Sequence, residues 1–244
     1  MKQGLFTIVN NTPLTEAVFR LDLEGDTSAI TAPGQFVEIA LPGMYLRRPI
    51  SVFDKAEGKL SLIIKRVGAG TEALARMQTG TLDILTGLGN GYDLAAAGES
   101  PLLIGGGVGV PPLYLLAKEL LKKGAKPSVI LGFNTKSELF GEEDFKALGI
   151  NTAVTTADGS YGIKGFVTDA MRDKKYSYFY ACGPVPMLKA LSKAALSRGE
   201  MSLEARMGCG FGVCMGCSIK TAEGPKRVCK EGPVFKKEVL TWED

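Results

Sequence analysis

Four of the five cysteines in this 244-residue chain fall in one region near its C-terminal end. The region reads Glu204-Ala-Arg-Met-Gly-Cys-Gly-Phe-Gly-Val-Cys-Met-Gly-Cys217, with Cys229 beyond it. The spacing over Cys209, Cys214, Cys217 and Cys229 is C-x4-C-x2-C-x11-C. Thiolates are soft ligands, so four brought together suit one soft metal centre. Gly208, Gly210, Gly212 and Gly216 interleave with them. Glycine permits the unusual backbone angles a loop needs to aim N–H groups at sulfur.

The first three cysteines match the C-x4-C-x2-C run of plant-type [2Fe–2S] proteins. The expectation is a [2Fe–2S] cluster held by all four. Three other readings stand beside it: a four-thiolate zinc site, a disulfide pair, and plain buried thiols. Zinc sites more often use paired C-x2-C knuckles or histidine, and this chain has no histidine at all. Disulfides require an oxidising compartment. The fourth cysteine follows after only 11 intervening residues, which departs from the plant-type pattern.

The missing histidine also excludes chemistry. Hydrolases built on Ser-His or Cys-His pairs need an imidazole near neutral pH, whereas electron transfer does not. Net charge is only +3 and the cations are spread along the chain, so there is no nucleic-acid footprint. No apolar run approaches the ~20 residues of a membrane span, and the first residues lack a signal-peptide core. The expected compartment is the reducing cytoplasm.

Residues 1–98 read as short strands over Leu5–Asn10, Ala17–Leu23, Gln35–Leu41 and Leu60–Val67. Turn residues separate them, which suggests an antiparallel barrel. Two segments carry chemistry. In Arg47-Arg48-Pro49-Ile50-Ser51, Arg48 is suited to fork onto a pyrophosphate and Ser51 to offer a hydroxyl to a flavin ring. The bland reading is a strand edge with solvated arginines. In Lys65-Arg66-Val67-Gly68-Ala69-Gly70-Thr71, a glycine turn precedes a helix over Glu72–Met77, with Thr71 as its expected N-cap. Free N–H groups there would bind an anion. The bland reading is an ordinary capped helix.

Residues 99–200 alternate strand and helix, the pattern of a parallel α/β sheet. Leu102–Ile104 runs into Gly105-Gly-Gly-Val-Gly-Val110 and then a helix over Leu113–Lys122. Strand, glycine turn and helix form the recipe for a nucleotide pyrophosphate site. The third glycine of G-x-G-x-x-G is Val110 here, so the dinucleotide fingerprint is incomplete. A second element, Cys182-Gly-Pro-Val-Pro-Met187, also follows a strand and opens a helix. After the second strand, Phe133-Asn-Thr-Lys-Ser-Glu-Leu139 offers one lysine, one glutamate and no arginine cluster, which leans toward NAD over NADP. In residues 201–244, Met201–Arg206 is expected as a strand into the cluster loop. A hairpin around Ala222-Glu-Gly-Pro225 would return Cys229 to the metal. Phe211, Val213 and Met215 would cap the cluster or form a docking patch.

Barrel, R-x-x-S, G-x-G-T, glycine loop and C-G-P-x-P-M occur here in the order found in ferredoxin-NAD(P) reductase-like flavoproteins. With the C-terminal cysteines added, the chain resembles the electron-transfer subunits of class B dihydroorotate dehydrogenase over nearly its full length. The resemblance implies an FAD-binding β-barrel (1–98), an α/β NAD(P)-binding domain (99–200) and a [2Fe–2S] lobe (201–244). It implies that Arg48, Pro49, Ile50, Ser51, Ile63, Ile64, Lys65, Gly70 and Thr71 contact FAD. It places Gly105, Gly106, Gly107 and Gly109, with Cys182, Gly183 and Pro184, at the NAD co-substrate. The implied partner is an FMN-containing catalytic subunit in a heterotetramer of two chains of each kind. The implied role is electron transfer between that FMN and NAD+ in pyrimidine biosynthesis. The small subunits of NADH-dependent ferredoxin-NADP reductase and of sulfide dehydrogenase share these domains and form the alternative. A zinc-stabilised nucleotide-binding module is a third.

Overall fold

A computed structural model describes residues 1–242 of the chain. Strands β1 (Lys2–Pro13), β2 (Val18–Glu24), β3 (Phe36–Ile39), β4 (Arg48–Ala56), β5 (Lys59–Lys65) and β6 (Thr81–Leu88) come first. They close an antiparallel barrel in the order β1-β2-β5-β4-β3-β6. Its interior is filled by residues such as Phe6, Phe19, Leu21, Ile39, Leu62 and Ile84. β6 alternates exposed or half-buried with buried residues along its length, as a barrel strand must. β4 carries Arg48 and Pro49 at its start, paired with Ile39 and Glu38 of β3. A proline there donates no ladder hydrogen bond, which suits the first residues of a strand.

Helix α1 (Ala69–Arg76) packs between β5 and β6 in sequence and begins earlier than expected. Thr71 is not its N-cap. The Thr71 hydroxyl sits inside the first turn and accepts the N–H groups of Val67 (2.8 Å) and Gly68 (3.2 Å). Gly68 and Ala69 have no side chain that opposes starting the helix, so it reaches back past the threonine.

The second sheet is built from β7 (Leu102–Gly106), β8 (Ser128–Phe133), β9 (Asn151–Thr156), β10 (Ile163–Lys164), β11 (Phe179–Cys182), β12 (Gly199–Ser202) and, after the cysteines, β15 (Val234–Lys236). Between β12 and β15 lie the two-residue strands β13 (Ser218–Ile219) and β14 (Lys226–Arg227), which pair as the expected hairpin. The sheet order is β10-β9-β8-β7-β11-β12-β15, parallel throughout except for antiparallel β15 at the edge. Helices α2 (Pro112–Lys122), α3 (Glu142–Ala147), α4 (Val167–Met171) and α5 (Val185–Ala194) connect the strands. This is the expected parallel α/β arrangement.

Two features join the parts. First, α2 lies against β4 of the barrel: Phe53 and Tyr114 stack with ring centroids 4.4 Å apart and 17° between planes. Lys118 Nζ donates to both Asp54 carboxylate oxygens at 2.6 and 2.7 Å. Second, the cysteine segment is sewn into the sheet. The expected break between residues 200 and 201 falls within β12, and β15 returns beside that strand. Asn90 of the barrel grips the return: its N–H donates to the Gly232 carbonyl (2.7 Å) and its Nδ2 to the Val234 carbonyl (2.8 Å). The last two residues of the expected 201–244 lobe, Glu243 and Asp244, lie outside the described residues. Among the described residues no helix is long and apolar enough to cross a membrane.

Candidate functional site

Barrel, sheet and cysteine segment meet around one cleft of about 1040 Å3. Strands β4 and β5 contribute Arg48, Pro49, Ile50, Ser51, Ile63, Ile64 and Lys65 to its wall, and α1 contributes Thr71. The loops after β7 and β11 contribute Gly106, Gly107, Gly109, Cys182, Gly183 and Pro184. Two expected residues stand behind the wall instead. Gly70 backs Arg48, since a Cβ there would lie 2.2 Å from Arg48 Nε. Gly105 lets the start of α2 close in, since a Cβ would lie 2.9 Å from Val110 Cα. The four cysteines of the C-terminal segment are not part of this wall.

The two arginines of the R-R-P-I-S run are separated by their partners. Arg47 forks onto Asp83, with Nη2 donating to Oδ2 at 2.9 Å and Nη1 to Oδ1 at 3.2 Å. That guanidinium holds the Asp83 carboxyl below the usual range. Among the described residues no carboxylate pairs with Arg48, whose guanidinium bonds only the Leu46 and Arg47 carbonyls and Met44 Sδ. A planar, unpaired guanidinium at a cleft wall is the donor a phosphate group takes bidentately.

At the sheet end, the loops after β7 and β11 press together. A Cβ on Gly109 would stand 2.2 Å from the Cys182 carbonyl oxygen, and one on Gly106 would stand 2.4 Å from Met187 Sδ. Gly107, in the left-handed region at φ +51, meets nothing on its open side. The bare backbone there is what a pyrophosphate approaches at the carboxyl end of a parallel strand. The Thr155 hydroxyl at the end of β9 also lines the cleft, fully buried and without a hydrogen-bond partner. Cys182 is half-buried, and desolvation pushes its thiol up to about 12, against a hydrogen bond with Ser202. It stays a neutral thiol, which fits contact with a ligand rather than nucleophilic attack.

Beyond the cleft, the chain runs through Leu203, Glu204, Ala205, Arg206 and Met207, which all line it, and then enters the cysteine loop. All five cysteines are free. The four sulfurs of the loop fall into two pairs. Cys217 Sγ stands 3.2 Å from Cys229 Sγ, both buried. Cys209 and Cys214 lie together on the other side, with the Cys214 backbone N–H directed at Cys209 Sγ at 3.5 Å. Among the described residues no three His, Cys, Asp or Glu side chains converge as on a single metal ion. A centre with two irons, each taking two thiolates, matches a paired donor set better than one ion does. Backbone amides already point at the sulfurs: Val213 N and Cys214 N at Cys209 (3.3 and 3.5 Å), Gly216 N at Cys214 (3.4 Å), and Cys229 N at Cys217 (3.4 Å). Partial desolvation raises the Cys209 thiol. The N–H groups of Cys214, Phe211 and Val213 outweigh it and bring the thiol down to about 6. Met215 holds φ +62, a strained angle for a residue with a side chain, to complete the turn between Cys214 and Cys217.

Several residues at this junction carried no signal in the sequence. Glu38 of β3 is 1% exposed, and neither carboxylate oxygen has a hydrogen-bond partner. Burial pushes its carboxyl up to about 7, opposed by nearby Arg47. Glu138, Phe166 and Met187 also line the cleft. Of those three, Glu138 was readable only as an acid shortly after the second parallel strand, and Met187 only as the end of the C-G-P-x-P-M element.

Comparison with known proteins follows the same outline. A family profile described as the iron-sulfur cluster binding domain of dihydroorotate dehydrogenase B matches residues 204–241. One described as an oxidoreductase NAD-binding domain matches residues 103–193. A relative from Geobacillus sp. (strain WCH70), the electron transfer subunit of dihydroorotate dehydrogenase B (NAD(+)), is 43% identical over 97% of each chain. Its counterpart from Fusobacterium nucleatum is 42% identical over 94% of this chain and 95% of its own. Among solved structures, a chain of NADH-dependent reduced ferredoxin-NADP oxidoreductase matches with TM-score 0.88 and 34% identity, covering 98% of this chain and 90% of that one. The Amycolatopsis cytochrome P450 reductase GcoB matches in fold, with TM-score 0.70 and 23% identity over 79% of this chain and 65% of its own.

Proposed function

The chain belongs to the family of electron-transfer subunits of NAD(+)-dependent dihydroorotate dehydrogenase B, and from that premise we propose how its residues do the work. It passes electrons between a dihydroorotate-oxidising partner and NAD+, within pyrimidine biosynthesis. The FAD and [2Fe–2S] cluster that these residues would hold would supply two-electron hydride chemistry toward the nicotinamide and single-electron chemistry toward the partner. The rest is done by the protein, which binds, orients and excludes water.

The observation that carries this reading is the cleft itself. Flavin motif, nucleotide loops and the stretch Leu203–Met207 line one cavity, and the cysteine loop starts directly from its wall. Arg48 is the free cation for the FAD pyrophosphate, and Gly70 leaves room for its side chain. Ser51, Ile63, Ile64 and Lys65, with Pro49 and Ile50, form the strand wall for the flavin, and Thr71 braces the turn before α1. Gly106, Gly107 and Gly109 receive the NAD pyrophosphate, with Gly105 packing behind them. Cys182, Gly183 and Pro184 set the depth of the nicotinamide. Cys209, Cys214, Cys217 and Cys229 would hold the [2Fe–2S] cluster. In these terms residues 1–98 serve the flavin, 99–200 the nucleotide and 201–244 the cluster.

The partner is an FMN-containing catalytic subunit, joined in a heterotetramer of two chains of each kind in the cytoplasm. This chain contains no histidine to serve as a general base near neutral pH. Exposed Phe211 (41%), Val213 (74%) and Met215 (52%) flank exposed Cys214, an apolar docking surface on the loop that would hold the cluster. The likeness to the ferredoxin-NADP system is real in fold, but identity is higher to the dihydroorotate subunits, 43% against 34%.

The test is co-expression with the catalytic subunit followed by anaerobic purification. The reading expects a complex that reduces NAD+ with dihydroorotate, while Cys214→Ser abolishes that transfer yet leaves NADH reduction of FAD. Dihydroorotate oxidation by this chain alone would overturn the division of labour.

A further inference from the structure

We propose that Phe53 and Asp54 of β4, clamped on Tyr114 and Lys118 of α2, are positioning residues that fix the distance over which a hydride passes between nicotinamide and flavin. The inference rests on the function proposed above and gives a part in it to residues outside the cleft, since none of the four lines its wall. Barrel and sheet are distinct structural units, and contacts between such units ordinarily leave them free to shift. The two sites lie on opposite sides of that boundary. Ser51 and Ile63 belong to the barrel, Gly107 and Gly109 to the sheet.

The clamp is built on the two elements that carry those sites. β4 starts in the cleft wall and then breaks register with β5: Val52 stands opposite Leu62, but Asp54 stands opposite Ser61, so Phe53 is an extra residue. A bulge of this kind re-aims side chains. Val52 stays in the barrel core, whereas Phe53 packs into the core of the sheet domain. Two consecutive residues, Phe53 and Asp54, thereby reach the same helix. On α2, Tyr114 and Lys118 are spaced i, i+4 and share one face. Phe53 takes the Tyr114 ring at 4.4 Å, and Asp54 takes the Lys118 ammonium at 2.6 and 2.7 Å. Lys118 Nζ also lies 5.7 Å from the centre of the Tyr114 ring. α2 itself begins at Pro112, just past the Gly107–Gly109 turn.

This placement makes the clamp a lever on the reaction rather than on either binding site. Asp54 lies about 10 Å along the strand from Ser51. Lys118 lies about 9 Å along the helix from Pro112. Strand and helix are stiff over such lengths, so a slip at the clamp reappears between the flavin wall and the glycine turn. Each site keeps its own contacts, which lie on one side of the boundary. In the step concerned, NADH gives up a hydride with its electron pair and leaves as NAD+, and the flavin takes the hydride. Misplacement by about 1 Å can cost such a step about 100-fold. Leu115 of α2 also buries against the barrel core. Apolar burial is non-directional, so it resists separation but not sliding. The ring stack and the ion pair supply direction, and the Asp54 and Lys118 side chains are only 23% and 26% exposed. The other joint, Asn90 on Gly232 and Val234, holds the barrel to the cysteine return and not to α2.

The experiment uses the FAD-loaded complex with its partner. Anaerobic stopped-flow reduction by NADH gives the limiting rate constant and the NADH dissociation constant separately. Hydrogen exchange at residues 53–56 and 114–118, measured without nucleotide, reports on the clamp itself. Lys118→Met keeps the side-chain stem and removes the charge. It should lower the limiting rate about 10-fold and speed exchange at both segments. NADH affinity and FAD content should stay within about 2-fold of the parent. Lys118→Arg still pairs with Asp54 and should restore both rate and protection. Asp54→Asn breaks the pair from the barrel side and should match Lys118→Met; it decides the matter where Lys118→Met loses FAD. Limiting rates within about 2-fold of the parent in both disrupted variants overturn the proposal, as does a loss carried wholly by NADH affinity; either leaves the nucleotide reading intact. A parent complex that NADH does not reduce overturns both together.

Discussion

Gly210 of the cysteine loop lies so close to Glu38 of the barrel that a Cβ on Gly210 would stand 2.3 Å from Glu38 Oε1. The strand that pairs with Arg48 and Pro49 thus touches the loop that carries Cys209. Barrel and cluster loop are a single packed junction, and the side chain absent at Gly210 sets their distance.

Gly210→Ala is therefore expected to be costly in two ways. The residue holds φ +76, which disfavours a side chain by about 1 kcal/mol, and the new methyl meets a buried carboxylate. Both iron content and melting temperature should fall. Thermal unfolding together with iron analysis checks this, and a variant matching the parent in both measurements contradicts the junction.

Arg48→Ala should weaken FAD about 10- to 100-fold, because a charge-assisted contact to phosphate contributes about 1.5–3 kcal/mol. Arg48→Lys should restore only part of it, since an ammonium lacks the planar fork. Titration of the apoprotein with FAD measures both. Equal affinity in the parent and the alanine variant removes Arg48 from the phosphate site.

Glu200 gives a pH signature away from the cysteines. It is 5% exposed, and desolvation raises its carboxyl above the ordinary value of 4.5, against the Asp93 N–H that donates to it at 2.9 Å. The folded state then holds this proton more tightly than the unfolded chain does. The stability contribution is fully present below pH 4.5 and is lost as pH rises through the raised folded value. Glu200→Gln keeps an acceptor for Asp93 N–H and removes the titration. Relative to the parent it should gain stability as pH rises from 4.5 toward neutrality. Urea denaturation across that range measures the difference, and parallel curves for the two proteins contradict it.

Much of this architecture was legible from local pattern. The alternation of apolar strands and helices after Leu102 sits in the order the sheet takes, because parallel strands are buried on both faces and read as apolar runs. The cysteine spacing pointed to the iron-sulfur domain that matches residues 204–241, because soft ligands are few in kind. What escaped is non-local or quiet. β4 begins with Arg48-Pro49, residues that argue against a strand until β3 is seen beside it. Thr71 looked like a cap because nothing in the sequence shows the helix starting at two small residues before it. Glu38 sits in Phe36–Ile39, where all four residues are buried, so the usual alternation hid an acid inside the protein. The pairing of β15 with β12 spans the whole cysteine segment, and no local signal encodes it.

The central claim is that these paired thiols hold iron beside a flavin. Anaerobic purification followed by iron, sulfide, zinc and flavin analysis, with a visible spectrum before and after NADH, tests it most directly. The account predicts about two iron and two sulfide per flavin, with absorption that bleaches on NADH addition. Colourless protein containing zinc and no sulfide would contradict it.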